Sequence, residues 1–128
     1  MKHIHFDTES DGFYGAYWEC RGGSDCTVIA MLGDDPEDYM ARSAVKWLLR
    51  LGVNVLTMSP AKKDYSHHNY PLECIEKAIA WLKSHGSAKI GIAGASTTGT
   101  LALTAASIFD DISLTIAMTP SDFVWQGF

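Results

Sequence analysis

Residues 94–99, Gly94-Ala95-Ser96-Thr97-Thr98-Gly99, carry the most pointed chemical signal in this chain. A serine between small residues, with an apolar run before it and an Ala/Leu-rich stretch after it, suits a tight strand-to-helix turn that holds the hydroxyl clear of the backbone. From there Oγ can attack an acyl carbonyl, and the amide of Thr97, at a helix N-terminus, faces the developing oxyanion. A second donor is expected from the loop after the apolar run 27–32, where Asp34 offers the best-placed amide. The pattern departs from G-x-S-x-G, because Thr98 occupies the second glycine position and Gly99 follows one residue later. Other readings of the same residues stay open. Gly94 and Gly99 have P-loop spacing, but Thr100 stands where the phosphate-binding lysine is required. Gly94-x-Ser96-x-x-Gly99 is one substitution from a dinucleotide fingerprint, with Asp122 after the next strand, yet serine replaces the glycine that admits pyrophosphate. A turn chosen only for close strand–helix packing is the plainest reading. The nucleophile corner is preferred over all three.

Other reactive side chains are scattered. His3-x-His5 places two imidazoles on one face of a strand at metal-ligand spacing, but no third ligand is visible in the sequence, so no metal is expected. His67 and His68, with Lys62, Lys63 and Tyr65, read as a solvated loop. His85 sits at a helix C-terminus and complements its dipole. Cys20, Cys26 and Cys74 are odd in number and dispersed, as free thiols in a reducing compartment are, and Cys74 reads as a small buried hydrophobe. No cofactor is implied.

The elements that would position Ser96 can be read from periodicity. Residues 2–6 and 13–20 are strand-like, and the polar stretch 21–25 predicts a hairpin between the second strand and the third, 27–32. A helix follows, with Asp35 as N-cap, Pro36 in the first turn, Glu37 and Asp38 complementing the dipole, and Met40, Ala44, Trp47, Leu48 and Leu51 as its buried stripe. Strand 53–58 comes next, then a helix from Pro71 burying Leu72, Ile75, Ala78, Ile79 and Leu82, with Trp81 also read as core. Strand 88–93, helix 100–109 and strand 112–118 complete the series. Apolar strands alternating with helices imply one α/β domain: a mostly parallel sheet of about six strands, helices on both faces, and an antiparallel N-terminal edge.

Composition narrows the function classes. The 128 residues are 47% hydrophobic and 20% charged, with a formal charge of −5, so a nucleic-acid or anionic-membrane surface is not expected as the main partner. No apolar run approaches the ~18 residues of a membrane span, and residues 1–7 carry no signal-peptide stretch, which points to a cytoplasmic protein.

The order of elements resembles the first half of an α/β-hydrolase, and more narrowly the C-terminal catalytic domain of acyl-CoA thioesterases and bile acid-CoA:amino acid N-acyltransferases, with dienelactone hydrolases more distant. The resemblance rests on Tyr70-Pro71-Leu72-Glu73, Ala80-Trp81-Leu82, Lys89-Ile90-Gly91-Ile92-Ala93-Gly94-Ala95-Ser96 and Met118-Thr119-Pro120-Ser121-Asp122-Phe123-Val124-Trp125-Gln126-Gly127. It implies a serine hydrolase acting on a small-molecule ester or thioester through an acyl-enzyme at Ser96. It also implies an acid and a histidine on loops after two later strands, which places them beyond Phe128. Residues 1–128 are therefore expected to be a partial, truncated domain with little activity alone, completed by a C-terminal half, a second chain or a homodimer that covers Phe123, Val124, Trp125 and Phe128. The alternative is a non-catalytic doubly wound domain that binds a nucleotide or a protein.

Overall fold

Three apolar runs form the centre of the sheet in the computed structural model, which describes residues 3–59 and 70–118. β3 (Cys26–Met31) lies between β4 (Asn54–Met58) and β5 (Lys89–Ala95), parallel to both. Val28 and Ala30 are buried on one face of β3, Ile29 and Met31 on the other, so both faces must be apolar and the run cannot alternate with polar residues. β6 (Ile112–Met118) extends the sheet in parallel beside β5. β1 (His3–Phe6) and β2 (Gly15–Trp18) extend the opposite edge antiparallel, giving the order β1-β2-β4-β3-β5-β6. α2 (Tyr39–Arg50) packs Val45 and Leu48 on the face of Val28, Ala30 and Val55. α3 (Leu72–Ser84) and α4 (Thr97–Ile108) cover the face of Ile29, Leu56, Ile90 and Ile92. The mostly parallel sheet with helices on both faces is the architecture expected from the alternation of elements.

The expected hairpin between β2 and β3 does not form; β4 lies between them. The polar connection after β2 instead passes the amino end of β4, where buried Asn54 binds it on both sides. Asn54 Oδ1 accepts from the Cys20 amide at 2.8 Å, and its Nδ2 donates to the Ser24 carbonyl at 2.8 Å. β3 has no free edge to spend on a hairpin, because it bonds parallel neighbours on either side.

One element is added to the expected series, and the cap and stripe of α2 are corrected. The polar stretch after β1 is a single helical turn, α1 (Thr8–Asp11), in which Asp7 accepts from the Glu9 amide and Asp11 accepts from the Asp7 amide. The N-cap of α2 is Asp38 rather than Asp35, and its buried stripe is Ala41, Ala44, Val45 and Leu48. Met40, Trp47 and Leu51 are 59%, 58% and 62% exposed, so Trp47 is not a core residue. Ala44 and Leu48 stay in the contact, Ala41 and Val45 join them, and the two small alanine side chains let the helix approach the sheet.

α3 matches its expected stripe, with Cys74 buried beside Ile75, Ala78, Ile79 and Leu82. Trp81 is partly buried and takes Phe6 and Tyr17 edge-on at 4.7 and 5.0 Å, while His85 stacks on it at 3.9 Å. Such pairs contribute about 0.5–1.5 kcal/mol each beyond area burial, which fastens the antiparallel edge to α3.

Candidate active site

The carboxyl ends of the parallel strands converge on one edge of the sheet. Met31 of β3 pairs with Gly94 of β5, and Ala95 of β5 with Met118 of β6, so the loop after β3 begins beside the end of β5. The chain leaves β3 toward β4 on one side and reaches β5 on the other, which puts the topological switch point here, where ligands bind in sheets of this kind.

Ser96 occupies the corner between β5 and α4. Its φ of 56° and ψ of −120° mirror the first central position of a type II turn, a conformation favoured by glycine. Among the described residues it is the one non-glycine residue with positive φ. The residue is exposed and its side chain makes no capping bond to its helix, while its amide donates to the Met118 carbonyl at 2.8 Å. The strained backbone is thus tied down on the β6 side, at the carboxyl edge of the sheet.

The flanking small residues follow from this corner. A Cβ on Gly94 would overlap the backbone of Thr98 and approach the Gly99 nitrogen to 2.8 Å, so glycine is required for the helix to fold back over its strand. A Cβ on Gly99 would sit 3.1 Å from the Met118 carbonyl oxygen, so the shifted glycine serves the approach of α4 to β6. Thr98, which interrupts G-x-S-x-G, braces the turn. Its buried hydroxyl accepts from the Ala95 amide and donates to the Ala95 carbonyl, both at 2.9 Å. Both glycines therefore have a packing purpose in this corner.

The oxyanion candidates fare differently. Thr97 is the first residue of α4 and follows the serine directly. Asp34 lies in the loop after β3, but its amide donates to Asp38 Oδ2 at 2.6 Å, and the Asp35 amide shares that oxygen at 3.2 Å. Asp38 Oδ1 accepts from the Ala41 amide at 2.9 Å. Burial works to raise the Asp38 pKa, but the amides of Ala41, Asp34, Asp35 and Met40 together outweigh it and hold the carboxyl below its ordinary value. In this conformation a carboxylate, the chemical analogue of an oxyanion, occupies the amide assigned to the oxyanion hole. Tyr14 reaches the same loop, donating to Asp35 Oδ2 at 3.3 Å. Burial, then the Asp35 charge, raises its pKa above the usual phenol value, so it remains a donor.

No described histidine is near Ser96. His3 and His5 lie on β1, four strand positions from β5, or about 19 Å at ordinary strand spacing. His85 caps α3 at the opposite, amino-end edge. His67, His68, Lys62, Lys63 and Tyr65 lie outside the described residues, as do Asp122, Phe123, Val124, Trp125 and Phe128. Glu37, read from the sequence as a dipole partner of α2, instead contacts both β1 imidazoles. Nothing in the local pattern links a loop glutamate to a strand thirty residues earlier. Thr98 and Asp38 were likewise missed as site residues, though an aspartate three residues before an alanine-rich helical face is a legible cap signal.

Residues 70–127 match the family model described as BAAT / Acyl-CoA thioester hydrolase C terminal. No curated protein matches the chain. Among solved structures, an esterase of Pyrococcus furiosus superposes with a TM-score of 0.69 at 24% identity, over 93% of this chain and 48% of that one. Est1E of Butyrivibrio proteoclasticus gives 0.68 at 20% identity, over 94% and 51%, and a protein of unknown function from Agrobacterium tumefaciens gives 0.68 at 13%, over 95% and 63%. The chain has the α/β-hydrolase fold, resembles the acyl-CoA thioester hydrolase C-terminal domain, and spans about half the length of the first structures it matches.

Proposed function

We propose that this chain carries the nucleophile of a serine hydrolase acting on an ester or thioester, with acyl-CoA thioesters as the favoured class. The observation that carries the reading is the exposed Ser96 in a positive-φ corner at the carboxyl edge of the sheet. A strained, non-glycine corner persists only where its surroundings impose it, and such residues concentrate at functional sites. Ser96 Oγ attacks the acyl carbonyl as its proton passes to a general base. The tetrahedral oxyanion is held by the Thr97 amide and by an amide of the 33–35 loop once Asp38 yields it. Collapse expels the thiol or alcohol, which takes the proton, and water then releases the acid from the acyl-serine.

The base and its acid belong, on this reading, to a further segment or a second chain that docks against β6. Leu114 and Met118 of β6 are 56% and 47% exposed, which fits a strand that takes another neighbour. Among the described residues no helix is long and apolar enough to cross a membrane.

A fluorophosphonate probe applied to the native protein with its accompanying polypeptides, followed by peptide mapping, tests the proposal. The label is expected on Ser96 and is expected to vanish in Ser96→Ala. Absence of label from a preparation whose intact mass includes every accompanying chain would refute it, and stabilisation of that unlabelled protein by a nucleotide would favour the non-catalytic alternative.

A further inference from the structure

We propose that His3, His5 and Glu37 form a binding site for one divalent transition-metal ion of the zinc type, separate from the Ser96 edge. His3 Nε2 lies 2.9 Å from Glu37 Oε1, and His5 Nε2 lies 2.8 Å from Glu37 Oε2. One atom from each side chain falls within 4.8 Å of the other two, so three ligands of the right kind already surround one point. Tetrahedral bonds of ~2.0–2.1 Å place neighbouring ligand atoms ~3.3 Å apart. The carboxylate therefore retreats by a few tenths of an ångström while the imidazoles turn toward each other. Two imidazoles and one carboxylate suit Zn2+, Co2+, Ni2+ or Cu2+, whereas Mg2+ and Ca2+ want an all-oxygen shell. Three protein ligands leave the fourth position to water.

The surroundings hold these side chains in place, which distinguishes the cluster from a chance meeting on a surface. Alternation along β1 turns His3 and His5 to the same face. His3 stacks on its cross-strand partner Trp18 at 4.2 Å with planes 13° apart. His5 is paired with Ala16, whose small side chain leaves room for Glu37 to reach in. The backbone of Glu37 is fixed by its own amide, which donates to Asp35 Oδ1 at 3.0 Å, and by Arg42 Nε, which donates to the Glu37 carbonyl at 2.8 Å. Arg42 also brings Nη2 to 3.6 Å from Glu37 Oε1 and must give up that contact when the ion enters. Side-chain exposures of 29% and 22% for His3 and Glu37 shield two ligands, while His5 at 60% leaves an entry path. The bound ion would clamp edge strand β1 to the loop that carries Asp34.

Calorimetric titration of the intact protein with Zn2+ alone, in a buffer that does not chelate it, tests the site. One ion per chain is expected, with affinity reduced ~10-fold or more in His5→Ala and in Glu37→Gln, and unchanged in His85→Ala. Glu37→Gln keeps the shape of the side chain, and circular dichroism verifies that each variant is folded. Co2+ in place of Zn2+ should give visible absorption of four-coordinate N/O type that is lost in the same two variants. Two results would overturn the proposal: no saturable uptake of Zn2+, which leaves a hydrogen-bonded cluster only, or uptake of equal strength in both variants, which assigns the ion to other residues.

Discussion

Replacing Ser96 by glycine should stabilise the protein relative to replacing it by alanine. Both changes delete the same hydroxyl, which caps nothing, from an exposed position, so neither loses buried packing. Alanine keeps the Cβ that makes φ 56°, ψ −120° unfavourable; glycine removes it. Strain of this kind costs about 1–3 kcal/mol, and the extra freedom glycine gives the unfolded chain takes back about 0.4–1 kcal/mol. The net advantage of glycine over alanine is therefore about 0–2.6 kcal/mol, centred on ~1.3 kcal/mol, a value that for a domain of this size moves Tm by about 4–6 °C. Urea unfolding of the two variants, analysed by linear extrapolation with equal slopes, measures the difference. Ser96→Gly equal to or less stable than Ser96→Ala would mean that the corner is unstrained, and the structural argument for a held nucleophile would fall with it.

Three further outcomes follow from the same edge of the sheet. Gly94→Ala drives a Cβ into the Thr98 backbone and should cost about 2–4 kcal/mol, read as a lower urea midpoint. Thr98→Val leaves the Ala95 amide and carbonyl without their shared hydroxyl and should cost about 1–3 kcal/mol, while Thr98→Ser, which keeps that hydroxyl, should cost clearly less. Asp38→Ala removes the cap of α2 and should cost about 0.5–2 kcal/mol near neutral pH. Because the folded-state pKa of Asp38 is depressed, its contribution is present above the ordinary carboxylate value of ~3.9 and is lost as pH falls through the lower folded value. The stability gap between wild type and Asp38→Ala should therefore close in acid; a gap that widens there would contradict the assignment.

The departures from sequence expectation share one cause, competition between signals of similar local strength. Asp35 and Asp38 both precede a helical stretch, and Asp35 is drawn away by the Tyr14 hydroxyl and the Glu37 amide, leaving Asp38 to cap. Trp47 fits one apolar stripe of α2 and Val45 another; the sheet selects the one lined with alanines. The short polar link before β3 has hairpin chemistry, but Asn54, thirty residues away, decides where it runs.

Alternation of apolar runs with amphipathic segments determined the class of fold, and a serine among small residues after β5 determined where to look for chemistry. Both are properties of neighbouring residues, set by side-chain period and by the steric room a corner needs. Only the tertiary structure decided which strands are neighbours, that Thr98 braces the corner in place of a glycine, that Asp38 holds the Asp34 amide, and that Glu37 meets His3 and His5. Each of those depends on contacts between segments distant in the chain. Their energies are comparable to those of the local alternatives, so they are settled by the packing of the whole domain and not by any short stretch of it.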